Sequence, residues 1–263
     1  VFDGKGHTIR NFTYECEGES GVGLFGYMTG IVKNLNLANV NVNAVMGGQV
    51  GALAGLCGGG SVVNGGATGG QVSGDEAVGG LVGHNDEEDD GMVNCSSRMS
   101  VGGRMHVGGL VGYSCGAVAQ SYSLSTVIGE TYVGGLVGFN WGSITSSYST
   151  GSVSGRWPVG GLVGGNSPWG SITTSYSTGS VHGGNNVGGL VGIGPLNGVT
   201  SCFWDIERSA QVTSAGGTGA TTAEMQTAST FLDAGWDFSY ESVNGTEDIW
   251  WINEGKDYPR LSH

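Results

Sequence analysis

A block of 26–29 residues that recurs along the chain constrains its fold most strongly. Residues 133–155 read VGGLVGFNWGSITSSYSTGSVSG, and residues 159–183 read VGGLVGGNSPWGSITTSYSTGSVHG. The leucine of the LVG-like core occurs seven times, and successive leucines are 29, 28, 29, 26, 26 and 28 residues apart. They are Leu24, Leu53, Leu81, Leu110, Leu136, Leu162 and Leu190. A fixed period of this length is typical of a repeat architecture.

Each block is predicted to hold two or three short strands. No helical apolar period is present, and β-prone runs such as Ile144–Ser149 are bounded by Gly, Ser and Asn, which favour turns. One block is too small to have its own core, so successive blocks must stack and pair their strands at a spacing of about 4.8 Å. Gly pairs such as Gly134-Gly135 are expected at tight bends. A β-propeller is excluded because its blades need roughly 40 residues.

The block GGLVGFNWGSITSSYSTGSVSG resembles the GLUG repeat of bacterial and archaeal surface proteins. The opening VFDGKGHTIRNFTY and the closing IWWINEGKDYPRL resemble the usual start and end of such domains. The resemblance implies a right-handed parallel β-helix on adhesins and upstream of IgA-cleaving metallopeptidases. The family has no shared catalytic motif, so no functional residue is transferred. The predicted fold is therefore all-β, a right-handed parallel β-helix (a solenoid) of about seven turns with a small C-terminal cap.

Two regions follow from where the repetition ends. Residues 1–203 are predicted to form the β-helix and residues 204–263 the capping region. Thr221 and Glu224 fit a capping box, so a short helix is expected over Thr222–Leu232, as part of a lid over the last turn's open core. Val1–Tyr14 is predicted to be the first strand pair. Its unpaired edge is expected to be covered by an upstream segment or by a neighbouring molecule.

Composition limits the partners. The chain has 263 residues, 55 of them Gly, with 9 Lys+Arg against 22 Asp+Glu and a net charge of −13. This charge argues against nucleic acid and anionic membranes as partners. No run of 18 apolar residues is present, so membrane insertion is not expected. These features favour a secreted or cell-surface protein.

Aligning the blocks places five small residues in one column, which predicts a tightly packed inward row. They are Cys95, Ser121, Ser147, Ser175 and Cys202. For the five cysteines of the chain two alternatives remain open, buried thiols or at least one disulfide.

One acidic run interrupts the repeats at a corner of the third block, and it consists of Asp86, Glu87, Glu88, Asp89 and Asp90. It is interpreted as a solvated loop tip, as a Ca²⁺ site, since hard cations bind several oxygens, or as a catalytic acid pair. The ligand spacing of an EF-hand is missing. The prediction is no cofactor, with Ca²⁺ as the alternative.

Aromatic residues recur at fixed places in the blocks. The outward column Tyr122, Tyr148 and Tyr176 is either a stabilising ladder or a surface for sugar rings or another rod. Trp141 and Trp169 both precede Gly-Ser-Ile, and Trp157 lies at another corner; they are assigned either to ligand binding and assembly or to packing against their own loops. Asn-x-Ser/Thr sequons begin at Asn11, Asn94 and Asn244, of which Asn244 is the most loop-like glycosylation candidate.

The predicted function is that of an extracellular structural or adhesive module, in cell-surface adhesion or in assembly into a sheath or filament. Its predicted partners are other copies of the chain or neighbouring surface proteins, and polysaccharide. The alternative is a carbohydrate-binding or polysaccharide-degrading β-helix that uses the three tryptophans as sugar platforms. The motifs HExxH and GxSxG are absent, so the sequence argues against an enzyme without excluding one. A third class, an accessory domain upstream of a peptidase, also fits the resemblance.

Overall fold

The β-prone runs form short strands, and each pairs in parallel with its equivalent in the next turn. The structure is a computed structural model that describes residues 1–86 and 91–262. Within these ranges the chain is a parallel β-solenoid of about seven turns with a few short helices, as the repeat predicts. Three parallel sheets, here named A, B and C, run along the solenoid, and the chain visits them in the order A, B, C in successive turns.

Sheet A is the broadest face, and most turns contribute two or three short segments to it. In the early turns these segments fuse into the long strands Val32–Val45 and Val62–Ser73. The remaining strands are Phe2–Asp3, Thr8–Arg10, Thr13–Glu17, Met92–Val93, Ser96–Gly102, Val118–Ala119, Tyr122–Ser123, Thr126–Ile128, Ser143–Thr145, Tyr148–Ser149, Val153–Ser154, Ser171–Thr173, Tyr176–Ser177, Val181–His182, Val199–Thr200, Phe203–Asp205 and Thr218–Ala220.

Sheets B and C contain at most one strand per turn, and from the third turn onward they are joined by a Gly-Gly-Leu bend. Sheet B consists of Gly48–Gly51, Glu76–Gly79, Met105–Gly108, Thr131–Gly134, Val159–Gly160 and Val187–Gly188. Sheet C consists of Phe25–Met28, Ala54–Cys57, Val82–Asn85, Val111–Ser114, Val137–Asn140, Val163–Asn166 and Val191–Ile193. Equivalent residues of successive blocks are paired, for example Val133 with Val159 and Tyr148 with Tyr176.

A single core runs the length of the solenoid, from Val22 to Trp204. Six of the seven block leucines, from Leu53 to Leu190, are fully buried in it, together with two or more valines from most turns. The small-residue column faces inward as predicted. The backbone N–H of Ser121 donates to Ser147 Oγ at 3.1 Å, and that of Ser147 donates to Ser175 Oγ at the same distance. Cys95 and Cys202, in the same column, carry free and buried thiols.

One corner of sheet A is built from asparagines in the left-handed conformation. Asn34, Asn64 and Asn94 have φ of 53°, 53° and 54°. Their amides form a ladder, in which Asn64 Nδ2 donates to Asn34 Oδ1 at 2.9 Å and Asn94 Nδ2 donates to Asn64 Oδ1 at 3.1 Å. Asparagine tolerates this conformation better than most residues, which explains its repetition at the corner.

The glycine after each Leu-Val pair allows sheet C to approach sheet B of the preceding turn. A Cβ on Gly138 would lie 2.5 Å from Gly112 O and 2.6 Å from the backbone of His106 and Val107. No side chain fits at that separation, so the contact requires glycine.

The C-terminal region closes the solenoid in two places. Ser214 Oγ accepts hydrogen bonds from the N–H groups of Leu190 and Val191, and Trp204 enters the main core, so residues 204–217 cover the end of the last turn. The later segments lie elsewhere, on the outer face of sheet A. There Met225, Phe231 and other residues form a second core with the tyrosine column. The lid that the sequence predicts from the Thr222–Leu232 helix and the aromatic residues after it therefore packs on sheet A and not over the open core, and residues 204–217 cover that end instead.

The helices of this region are shorter than predicted. They are the α-helices Ile206–Ser209 (α1), Thr222–Met225 (α2) and Ala228–Leu232 (α3), and a 3₁₀ helix, Leu196–Gly198, lies before them in the last turn. The capping box of Thr221 and Glu224 is present at the start of α2. The single helix predicted over Thr222–Leu232 is wrong because the backbone of Thr227 is extended. Beyond α3, Trp250–Trp251 pairs antiparallel with Arg260–Leu261.

We expect Gly138→Ala to lower the free energy of unfolding by at least about 2 kcal/mol, because the added methyl meets backbone that cannot move independently. Urea unfolding followed by circular dichroism measures the change. Gly102→Ala is the matched control, since a Cβ at Gly102 meets nothing within 4 Å. Equal unfolding midpoints for the two variants would contradict the close contact between the sheets.

Candidate functional site

The tyrosine column forms a stacked ladder on the outer face of sheet A. The ring centroids of Tyr122 and Tyr148 are 5.0 Å apart at an interplanar angle of 5°, and those of Tyr148 and Tyr176 are 5.0 Å apart at 8°. These distances are close to the spacing of neighbouring strands, so each ring lies on the ring of the next turn. The stacking that the sequence predicts is present.

The ladder is not an open surface at Tyr148 and Tyr176, so of the two alternatives predicted for this column the stabilising ladder applies there, and the surface for a ligand or another rod does not. The exposed fractions of Tyr148 and Tyr176 are 8% and 1%, because Trp236 and Trp250 pack against them from the C-terminal region. The Tyr176 hydroxyl donates to the carbonyl oxygen of Pro259. Burial raises the pKa of Tyr176 well above its ordinary value. Tyr122, at the end of the ladder, remains half-buried.

The predicted tryptophans lie on a different face and remain accessible. The rings of Trp141 and Trp169, which belong to successive turns, are stacked with centroids 4.9 Å apart and an interplanar angle of 11°. Trp169 is 73% exposed and Trp141 is 38% exposed. The pair therefore presents a flat apolar surface to solvent.

Two further rings connect Trp157 to this pair. Trp157 contacts Tyr132 at 6.5 Å, Tyr132 contacts Phe139 at 5.0 Å, and Phe139 contacts Trp141 at 6.3 Å between centroids. The row continues toward the N-terminal turns through further ring contacts. We call the whole set the aromatic belt, which consists of His84, His106, Tyr113, Tyr132, Phe139, Trp141, Trp157 and Trp169.

Five of the eight belt residues belong to two columns of the repeat. His84, Tyr113 and Phe139 are in register on sheet C. His106 and Tyr132 lie just before the valine of sheet B, and both have φ of 54°. The sequence-based prediction missed this second column. In the sequence this column can be recognised as the residue before each Val-Gly-Gly. In the structure the side chains at this position lie next to sheet C.

The N-terminal end of the belt is partly desolvated and contains two imidazoles. Burial, followed by the nearby His84, lowers the pKa of His106 to about 4. Burial also lowers the pKa of His84, against the opposing effect of Asp86 and Glu76. The Glu76 carboxylate lies 3.8 Å from His106 Nδ1. A cavity of about 380 Å³ opens beside these side chains and is lined also by Ser20, Gly48, Gln49, Ala77 and Tyr113.

Of the acidic run, the structure describes Asp86, while Glu87, Glu88, Asp89 and Asp90 lie outside the described residues. The Asp86 carboxylate is 3.4 Å from His84 Nε2. One ring nitrogen of His84, one carboxylate oxygen of Asp86 and the Cys115 sulfur lie within 4.8 Å of one another. The run's assignment to Ca²⁺ stays a prediction.

The three sequons differ in how their amides are used. Asn244 Nδ2 donates to the carbonyl oxygens of Leu232 and Trp236, at 2.9 and 3.2 Å. Asn94 Nδ2 is part of the asparagine ladder, and Asn11 Oδ1 accepts from Asn39 Nδ2 at 3.5 Å. A sugar on Asn244 Nδ2 would replace one of the two hydrogens that these bonds use, so the local packing does not favour glycosylation there. All three sites remain predictions.

Within residues 1–86 and 91–262, the structure contains no helix with the length and apolarity needed to cross a membrane.

Comparisons with known proteins agree with this architecture. The family described as the GLUG motif matches residues 129–154 and 155–181, which cover two consecutive repeats. Halomucin of Haloquadratum walsbyi is 40% identical over 83 residues, which are 31% of this chain and 1% of halomucin. The crystal structure of a Bacteroides ovatus protein described as an immunoglobulin A1 protease covers 100% of this chain and 77% of its own, with a TM-score of 0.60 and 20% identity. At that identity the likeness concerns the fold alone.

We expect acid to destabilise the protein through His106. Its pKa is about 4 in the folded chain and 6.5 as a free side chain, so the unfolded chain takes up a proton first as the pH falls through this interval. The stabilisation is complete above pH 6.5, and up to about 3 kcal/mol is lost on acidification to pH 4. Melting temperatures measured at pH 7.0 and 4.5 should therefore differ less in His106→Gln than in the wild type. Gln49 shows that glutamine is accepted at this column, with φ of 55°. The exposed His182→Gln is the control, and a wild-type-like acid response of His106→Gln would contradict the assignment.

We expect Tyr176→Phe to lower the free energy of unfolding by about 1–3 kcal/mol, because the Pro259 carbonyl loses a buried donor while the ring stack is kept. Tyr122→Phe, at the half-buried end of the ladder, should change it by about 0.5 kcal/mol or less. Guanidinium titration of both variants provides the comparison. If the free energy of unfolding fell equally in both variants, the hydrogen bond of the Tyr176 hydroxyl would not be what stabilises the packing of the C-terminal region on sheet A.

Proposed function

This chain carries GLUG repeats, and we propose that it is a structural and adhesive module of an extracellular protein, with the aromatic belt as its contact surface. The proposal rests on the one observation that stacked indole rings are exposed on a rigid support. Trp141 and Trp169 lie on successive turns of a continuous β-ladder, and Trp169 is 73% exposed. The ladder bonds hold the turns at fixed spacing, so a ligand meets a preformed surface rather than one that must be ordered.

The composition of the chain supports an extracellular role. The net charge of −13 favours solubility outside the cell. The repeats of this chain resemble the GLUG repeats of bacterial and archaeal surface proteins. Location at the cell surface is therefore part of this proposal. The proposed mechanism is mechanical and interfacial: the parallel ladders supply stiffness and the belt supplies adhesion.

A second candidate function is carbohydrate binding, and the parallel indoles favour it. Two rings 4.9 Å apart and 11° from parallel form a flat patch, of which Trp169 is the more exposed part. The electron-rich face of an indole attracts the weakly positive C–H groups that line one face of a pyranose ring. In this case the ligand of the adhesive surface is a polysaccharide, and the test below separates it from contact between copies of the chain.

We expect the double variant Trp141→Ala/Trp169→Ala to bind its target at least tenfold more weakly than the wild type, a loss of about 1.4 kcal/mol. Binding is measured to an immobilised polysaccharide panel with and without EDTA, with soluble sugars assayed for depolymerisation. Association between copies is followed by sedimentation velocity and electron microscopy. The control is Trp251→Ala, because Trp251 is 38% exposed, like Trp141, but lies outside the belt.

Retained polysaccharide binding in Trp251→Ala and its loss in the double variant would support the carbohydrate candidate. Loss of ordered polymers in the double variant alone would instead identify another copy of the chain as the partner. Unchanged binding and unchanged association in the double variant would refute the belt as the contact surface.

A further inference from the structure

A cluster of three different donor atoms lies where sheet C ends in the third and fourth turns. The imidazole of His84, the carboxylate of Asp86 and the thiol of Cys115 place one ligand atom each within 4.8 Å of the other two. His84 and Asp86 are two residues apart at the end of the same strand. Cys115 occupies the position of Asp86 in the next turn, because Ser114 is in register with Asn85.

We propose that His84, Asp86 and Cys115 form a binding site for a divalent transition-metal ion of the zinc class. His84 also belongs to the aromatic belt, but the inference does not depend on the adhesive role proposed for the belt. It also differs from the calcium interpretation of the acidic run, since only Asp86 is shared between the two.

The donor chemistry selects the metal. Nitrogen, oxygen and sulfur together are the ligand set of Zn²⁺ and related ions, whereas Ca²⁺ binds several oxygens and no thiolate. Three protein ligands leave a fourth tetrahedral position for water. Binding releases the thiol proton of Cys115 to solvent and forms a metal–sulfur bond with no change of oxidation state.

Besides the proximity of the three donors, the surroundings of the His84 imidazole also point to a ligand. Its Nε2 is buried and, among the described residues, has no hydrogen-bond partner, although the Asp86 carboxylate is 3.4 Å away. The imidazole is fixed edge-on against the Tyr113 ring, with centroids 4.8 Å apart and an angle of 69°. This nitrogen, which has no hydrogen-bond partner in the described part of the chain, therefore lies beside one of the two other donors of the cluster.

The solenoid already holds the backbone of the site. Cys115 N–H donates to Asn85 O at 2.7 Å, and Asp86 N–H donates to Cys57 O at 2.8 Å. Ligands of a tetrahedral zinc ion lie about 3.3–3.8 Å apart. His84 Nε2 and the Asp86 carboxylate already have that separation, at 3.4 Å, and the Asp86 side chain is 52% exposed and so has room to adjust toward an ion. A bound ion would therefore link two successive turns.

The test is titration of the reduced full chain with Co²⁺, followed by its displacement with Zn²⁺. We expect one Co²⁺ per chain, with thiolate-to-cobalt charge-transfer absorption in the near ultraviolet. Cys115→Ser should abolish that absorption, and His84→Gln and Asp86→Asn should weaken Zn²⁺ binding by at least about tenfold in calorimetry. Zn²⁺ should raise the melting temperature of the wild type more than that of Cys115→Ser.

The matched control is Cys16→Ser, which removes a free thiol far along the chain from the site. It should keep both the absorption and the affinity. Circular dichroism establishes that each variant is folded before titration. The proposal would be overturned by a wild type without thiolate absorption, by its persistence in Cys115→Ser, or by its loss in Cys16→Ser.

Discussion

The contact between each strand of sheet C and the preceding turn's strand of sheet B determines most of this structure. From the second turn onward a glycine of sheet C lies against the backbone around the valine that begins the preceding block, and an added Cβ would come within 2.2 to 2.8 Å of it. The glycines are Gly55, Gly83, Gly112, Gly138, Gly164 and Gly192. Because hydrogen bonds hold neighbouring turns near 4.8 Å, a larger residue at one turn would disturb the turns on both sides. The glycine of the LVG core is thus a packing requirement that repeats with the fold.

The same contact places the aromatic belt. Gly138 lies against the backbone of His106, so the sheet C column and the column before sheet B face each other across a narrow separation. Inside the solenoid every turn uses leucine and valine, but the outward sheet C column contains Tyr27, Leu56, His84, Tyr113, Phe139, Gly165 and Ile193 in turn. The repeated leucine and valine residues of the core thus determine the solenoid fold. The outward columns vary from turn to turn and determine the chemistry of each part of the surface.

Local regularity explains which features were predictable from sequence. The coil, the inward serine column and the stacking of Tyr148 on Tyr176 follow from equivalent positions in successive blocks. The packing of the C-terminal region over that ladder could not be predicted in this way, because Trp250 and Pro259 contact Tyr176 from a segment that is not repetitive. The link from Trp157 to Trp141 depends on the left-handed turn at Tyr132, and the proximity of Asp86 to Cys115 depends on the register between turns. Neither relation is visible until the strand pairing is known.

Two rows of stacked rings, produced by the same strand spacing, differ in their surroundings. The Tyr148 and Tyr176 rings are sealed beneath the C-terminal region, where stacking and burial act together to stabilise the fold. The Trp141 and Trp169 rings stack at nearly the same distance, 4.9 Å against 5.0 Å, yet Trp169 remains 73% exposed. Stacking alone therefore does not require burial in this architecture. One covering segment is sufficient to remove a row of stacked rings from solvent, as the C-terminal region does for the tyrosines. The coil therefore does not by itself determine whether the indoles are exposed. Their exposure is the feature on which a contact function depends.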